Sequence, residues 1–248
     1  MSNKERKKEK ELRVIDYLKL LKVNDISSIE QYLKIHDVHE VVQGQSLLYW
    51  AVFHNRYDIA KKLIEYGADV NQKDNHGRTP LSISLFFNFI EIAKLLLCNK
   101  ARIETTSMDR AIFGWNSQVQ IESINLLKQY GWVNLYLDDL RDIPDGFVEV
   151  RTMEDAIEGL ENYNVHVLSL DHDLGMDEKG NLRKTGYDLV KDLCANGKRA
   201  ANRIYLHTDN VGGRENMYQT LIAAQRRGFI DADIEIYPYP FTRNSYSG

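Results

Sequence analysis

A 33-residue internal period constrains this chain more than any other feature. The segment GQSLLYWAVFHNRYDIAKKLIEYGADVNQKDNH begins at Gly44. The segment GRTPLSISLFFNFIEIAKLLLCNKARIETTSMD begins 33 residues later, at Gly77. At that offset Leu48 aligns with Leu81, Ile59 with Ile92, Ala60 with Ala93, Leu63 with Leu96 and Ala68 with Ala101. Such a period marks stacked units, each too small to bury its own apolar face. Thr79-Pro80-Leu81 predicts a helix start, with Thr as N-cap and Pro at the first helical position. Ile59, Ala60, Leu63 and Ile64 have helical spacing, and Gly67 predicts the stop. Each unit therefore reads as helix, turn, helix and loop.

These units resemble ankyrin repeats, most clearly in GADVNQKDNHGRTPLSIS. Two departures are expected to weaken local caps. Ser82 stands where the family has His, and Lys100 stands where a glycine ends the helix. Asn24–His36 and Ala111–Gly131 resemble degenerate outer repeats, the latter with Ile121, Ile124, Leu127 and Tyr130 at helical spacing. A helix over Leu12–Leu21 is expected to cover the open end, and residues 1–10 to form a frayed tail. The resemblance implies a protein partner bound through the repeats. The alternative is a spacer or a docking surface for the next domain.

Charge separates the rest of the chain. From Asn134 onward there are 20 acidic and 13 basic residues, a net −7, while the residues before it carry +3. The division is placed between an ankyrin-like domain at 11–133 and a second domain at 134–248. Cys98 and Cys194 are too few for a disulfide framework and are read as buried free thiols. The most apolar window, Leu81–Cys98, contains Asn88, Glu91 and Lys94, so no membrane span is expected. The N-terminal MSNKERKKEKELR is charged, unlike a secretory signal. The expectation is a soluble, cytoplasmic chain with no membrane partner.

Beyond Asn134 short apolar runs alternate with helical patterns. Strands are predicted at Leu135–Leu137, Phe147–Val150, Val165–Leu170, Ile204–Leu206 and Ile234–Tyr237. Helices are predicted at Met153–Leu160, Tyr187–Cys194 and Gly213–Arg227. This order implies a parallel sheet with helices on both faces, so the fold class is an α-helical solenoid followed by a doubly wound α/β domain. Ligands of such sheets sit at the carboxyl ends of the strands. Three polar clusters fall there: Asp138 and Asp139, Asp171 to Asp173, and His207 to Asn210.

Two carboxylates about 4 Å apart repel by roughly 4 kcal/mol at an effective dielectric near 20, so a cluster of them calls for a cation or a raised pKa. Oxygen ligands favour Mg²⁺, Mn²⁺ or Ca²⁺ over zinc, and His172 and His207 keep Mn²⁺ in play. Asp138, Asp139, Asp171 and Asp173 are the candidate metal ligands, with Mg²⁺ or Mn²⁺ as the expected cofactor.

The second domain resembles a response-regulator receiver. The resemblance rests on Asp138-Asp139, Asp171, Thr208 and the glycine-led helix start Thr185–Leu189. It departs at His172-Asp173, at His207 and Asn210, and at the last strand, where no Lys follows Ile236-Tyr237-Pro238. A closer resemblance is to the cyclic-phosphate-processing receivers, carried by LDDLRDIP (137–144), SLDHDLG (169–175) and HTDN (207–210). That family implies hydrolysis of a cyclic phosphate, in a nucleotide or at an RNA end. On this reading His172 or His207 protonates the leaving ribose oxygen, and Thr208 and Asn210 contact the substrate. Arg141 and Arg214 are candidate phosphate clamps. Two alternatives remain: a phosphoacceptor receiver with Asp171 as acceptor, and a nucleotide- or metal-binding adaptor without turnover. The net −7 disfavours long duplex nucleic acid and suits a small nucleotide or a short RNA end.

Overall fold

The computed structural model describes residues 17–197 and 200–242. The expected tail at 1–10 and the first residues of the expected leading helix lie outside the described residues. The chain divides into two compact units, Met1–Leu126 and Leu127–Gly248.

The first unit is built from helix pairs. In chain order they are α1 (Tyr17–Val23) with α2 (Ile26–Leu33), α3 (Leu47–Phe53) with α4 (Tyr57–Glu65), α5 (Pro80–Phe86) with α6 (Ile90–Cys98), and α7 (Thr105–Ile112) with α8 (Ile121–Gln129). A two-stranded hairpin, β1 (Val41–Val42) and β2 (Gln45–Ser46), precedes α3. The four aligned apolar pairs from Leu48/Leu81 to Leu63/Leu96 are each at most 1% exposed, so the period is the core. Within the last pair Ile124 and Leu127 are buried, whereas Ile121 and Tyr130 are exposed.

The caps differ from expectation in one place. Thr79 Oγ1 accepts from Ser82 N at 3.1 Å, and Ser82 Oγ accepts from Thr79 N at 2.9 Å. Ser82 thus completes a reciprocal cap rather than weakening one. Lys100 does adopt the left-handed conformation, at φ 68°, where the preceding repeat has Gly67 at 93°. Cys98, the last residue of α6, is exposed rather than buried, and Cys194 is half-buried.

The second unit is a five-stranded parallel sheet of order β4-β3-β5-β6-β7. The strands are β3 (Trp132–Leu137), β4 (Val148–Val150), β5 (Asn164–Leu170), β6 (Arg203–Leu206) and β7 (Glu235–Tyr237). Helices α9 (Met153–Asn162), α10 (Gly186–Asn196) and α11 (Val211–Arg226) join the last four strands in turn. All three crossovers step the same way across the sheet, and right-handed connections then put all three helices on one face. The core agrees. Leu135, Leu168 and Ile204 form one row across the sheet, Leu137, Leu170 and Leu206 the next. Both rows pack with Met153, Leu189, Met217 and Leu221 of the helices. Residues 138–147, between β3 and β4, carry no helix. The opposite face holds the row Tyr136, Ser169, Tyr205 and Tyr237. A register shift between Val133 and Leu135 separates the two halves of β3. Among the described residues no helix is long and apolar enough to cross a membrane.

Candidate functional site

Strands β3, β5 and β6 are neighbours and parallel, so their carboxyl ends share one edge. Asp138 follows β3, Asp171 follows β5, and His207 and Thr208 follow β6. There a cavity of about 300 Å³ is lined by Asp138, Asp139, Leu140, Arg141, Asp171, Asp173, Gly175, Thr208, Asp209 and Asn210. The topology therefore brings together seven of the residues singled out from sequence. Asp209 is a lining residue that the sequence reading did not single out.

The three aspartates nearest each other are not equivalent. Carboxylate oxygens of Asp138, Asp139 and Asp171 lie within 4.8 Å of one another. Asp138 Oδ1 accepts from the N–H groups of Leu140 (2.8 Å) and Arg141 (2.7 Å). Its Oδ2 accepts from Arg141 Nη1 (2.8 Å) and His207 Nε2 (3.0 Å). A carboxylate has about four lone-pair sites, and all of those on Asp138 are taken. Burial pushes this carboxyl up, but the N–H groups of Arg141 and Leu140, the guanidinium and His207 together hold it below the usual carboxylate range. Asp138 lies close enough to share a cation, yet its hydrogen bonding argues against the metal-ligand role expected from sequence. Asp139 accepts no hydrogen bond among the described residues and lies against Gly175. Asp171 Oδ1 accepts from His172 N at 2.8 Å, while Oδ2 has only a 3.6 Å contact with Arg141 Nη1. Asp139 and Asp171 therefore keep open oxygens, a donor set that fits Mg²⁺ or Mn²⁺.

Arg141 is the cation of this cavity. Besides Asp138 it donates from Nη2 to Asp209 Oδ2 at 2.7 Å. These bonds raise its pKa further, led by the one to Asp138. Arg214 Nη1 instead donates to the carbonyl of Thr208 at 3.3 Å, and the side chain does not line the cavity.

The two histidines sit outside the cavity lining. His207 is buried, with its ring stacked on Tyr136 at 4.3 Å. Its Nε2 bonds Asp138 and its Nδ1 bonds Ser169 Oγ at 2.8 Å. A carboxylate only accepts, so Nε2 carries the proton and Nδ1 accepts from the serine hydroxyl. Burial lowers the His207 pKa although Asp138 pulls the other way, which keeps the ring neutral. Both nitrogens being occupied, His207 has no proton to offer a substrate. His172 Nδ1 is 2.7 Å from Asp173 Oδ1, and the ring lies over Gly213, where a Cβ would come 2.4 Å from its Cδ2. Asn210 donates to Asp173 Oδ2 at 3.0 Å, and its Oδ1 caps α11 by accepting from Gly213 N at 2.8 Å. That donation is the leading cause holding the Asp173 carboxyl low. Thr208 Oγ1 accepts from Asn210 N at 3.1 Å.

Residues 133–223 match the family model described as the cyclic-phosphate processing receiver domain, and residues 17–107 match that of ankyrin repeats. Ankyrin repeats are thus followed by a cyclic-phosphate processing receiver domain. The curated relatives match over short segments. Ankyrin repeat domain-containing protein 49 of Drosophila melanogaster is 43% identical over 54 residues, which is 21% of this chain and 25% of that protein. Ankyrin repeat protein 14 of Vaccinia virus is 36% identical over 63 residues, 25% of this chain and 27% of that protein. Neurogenic locus notch homolog protein 1 of Mus musculus is 40% identical over 58 residues, 23% of this chain and 2% of that protein. The chain therefore spans about a quarter or less of the length of each.

Sequence reasoning about the receiver domain missed two supports of the site. Gly186 packs so closely that a Cβ there would lie 1.9 Å from the carbonyl oxygen of Asp171. Ser169, two residues before Asp171, reads as one more buried strand residue until its partner His207 is seen. Adjacent strand side chains alternate, which turns His207 and Thr208 of the HTDN run to opposite sides.

Proposed function

We propose that the receiver domain is a metal-dependent phosphoesterase acting on a cyclic phosphate, in a nucleotide or at a short RNA end. The observation that carries this reading is the pairing of open carboxylates with a guanidinium in one cavity. Asp139 and Asp171 would hold Mg²⁺ or Mn²⁺. When bound, such an ion supplies positive charge for the phosphate and a more acidic water. Arg141 presents planar N–H donors to the same space, suited to phosphate oxygens. Thr208, which lines the cavity, would contact a phosphoryl oxygen, and Asn210 donates to Asp173 at the rim. Neither histidine is assigned to the substrate. Ankyrin repeats support a protein partner for the first unit.

The test incubates the full chain with 2′,3′-cyclic nucleotides and cyclic-phosphate-ended RNA, with Mg²⁺ or Mn²⁺, beside Asp171→Ala. Metal-dependent turnover lost in the variant is expected. No turnover on any cyclic phosphate would sink the reading. A stable acyl-phosphate on Asp171 after treatment with a small phosphodonor would replace it with phosphoacceptor signalling.

A further inference from the structure

The Ser169–His207–Asp138 chain lies on the helix-free face of the sheet and ends at Arg141. Each link has one direction. The Ser169 hydroxyl donates to His207 Nδ1, His207 Nε2 donates to Asp138 Oδ2, and that oxygen also accepts from Arg141 Nη1. Stacking on Tyr136 sets the ring plane. With its acceptor sites filled, Asp138 is committed to aiming a side chain. We propose that Ser169, His207 and Asp138 form a positioning relay that holds the Arg141 guanidinium in the cavity as its phosphate contact, while the cation falls to Asp139 and Asp171. This rests on the phosphate reading of the cavity. Removing one link frees Arg141 to follow Asp209, whose side chain is 96% exposed and holds nothing in place.

The experiment uses the full chain and three relay variants, with Arg141→Lys and Asp171→Asn as references. His207→Phe keeps an aromatic ring to stack but loses both hydrogen bonds. His207→Gln restores a donor near the Nε2 position. Ser169→Ala removes only the hydroxyl that donates to Nδ1. Three quantities are measured: the order of the Arg141 guanidinium protons by ¹⁵N–¹H NMR without ligand, assigned with Arg141→Lys; Mn²⁺ affinity; and affinity for 2′,3′-cyclic AMP with Mn²⁺ present. In His207→Phe the Arg141 signal should be lost and cyclic-nucleotide affinity should fall about tenfold, the scale typical of outer-shell substitutions. Ser169→Ala should show a smaller loss, and His207→Gln should recover most of both. Mn²⁺ affinity should change by less than about twofold throughout, since neither His207 nor Ser169 hydrogen-bonds Asp139 or Asp171, the groups assigned to the cation. An unchanged Arg141 signal in His207→Phe overturns the relay. So does a fall in Mn²⁺ affinity matching that of Asp171→Asn, because Asp138 would then serve the cation. A wild-type chain with an ordered Arg141 that binds no cyclic nucleotide, and loses that order in His207→Phe, supports the relay and overturns the phosphate reading.

Discussion

Asp74 of the repeat unit and Asp138 of the receiver domain are built alike and end in different places. Each has a side chain only 1% exposed. Asp74 Oδ1 accepts from the N–H groups of His76 and Arg78, both at 2.8 Å, and its Oδ2 accepts from Arg78 Nε at 2.5 Å. Asp138 does the same with Leu140 and Arg141. In both, burial raises the carboxyl pKa and the combined hydrogen bonds bring it below the usual range. The local device is a carboxylate folding its own chain into a turn and tethering the next arginine. The difference lies in what surrounds it. Asp138 receives a fourth bond from a histidine that follows another strand, and its arginine faces two more aspartates. The same sequence-local turn is structural in one unit and part of a candidate site in the other.

The largest effect that tests this comparison comes from removing the carboxylates. Asp138→Ala should cost about 3 kcal/mol, because it leaves a buried histidine donor and the N–H groups of Leu140 and Arg141 without a partner. Asp74→Ala should cost about 2 kcal/mol, and it should leave Mn²⁺ and nucleotide binding untouched. Urea unfolding with parallel ligand titrations checks both, and a larger loss at Asp74 would break the comparison. Next come the arginines. Arg141→Lys keeps the charge but loses the planar fork, so cyclic-nucleotide affinity should fall about tenfold. Arg78→Lys should cost only about 1 kcal/mol of stability, with ligand binding unchanged.

A third test uses acid. Both aspartates have depressed pKa values in the fold, so the stability they contribute is present above the unfolded-state value near 4 and is lost as pH falls through the folded values. The wild-type chain should therefore lose stability more steeply below about pH 4 than Asp74→Asn or Asp138→Asn does. Equal slopes would show that the turns do not hold these carboxylates ionised. The smallest effect stays within the repeats. Lys100→Gly should gain about 1 kcal/mol by relieving a left-handed lysine, and Gly67→Ala should lose a similar amount.

Much of this architecture was legible, and what was not has identifiable causes. The period from Gly44 to Gly77 depends on core spacing, which a sequence displays directly. The strand-end clusters were legible because β3, β5 and β6 are parallel apolar runs that finish on polar clusters. The roles within the clusters were not. That Asp138 is saturated while Asp139 is open depends on where Arg141 and His207 point, and both are set by contacts between residues far apart in sequence. His207 resembled a proton donor because composition cannot reveal that Ser169 lies beneath it. Ser82 looked like a weakened cap because the expectation compared it with the family's His rather than asking what a serine hydroxyl does three residues after Thr79.

The register shift between β3 and β5 decides what lies beneath His207. Side chains along a strand alternate, so each residue's face is fixed by whether an even or odd number of positions separates it from its neighbours. Val133 and Leu135 are two apart on β3 while their partners Val165 and Leu168 are three apart on β5, so the extra residue lies in β5 and sets the count that puts Ser169 beside Tyr136. Asp138 N still donates to Val150 O at 3.3 Å, as a strand residue would. Deleting one residue between Val165 and Leu168, with the earlier register held, would put Leu170 where Ser169 now meets His207. Asp171 would then take the place of Leu170 in the core beneath the helices. Whether a serine or a leucine stands beneath the histidine is thus a matter of counting.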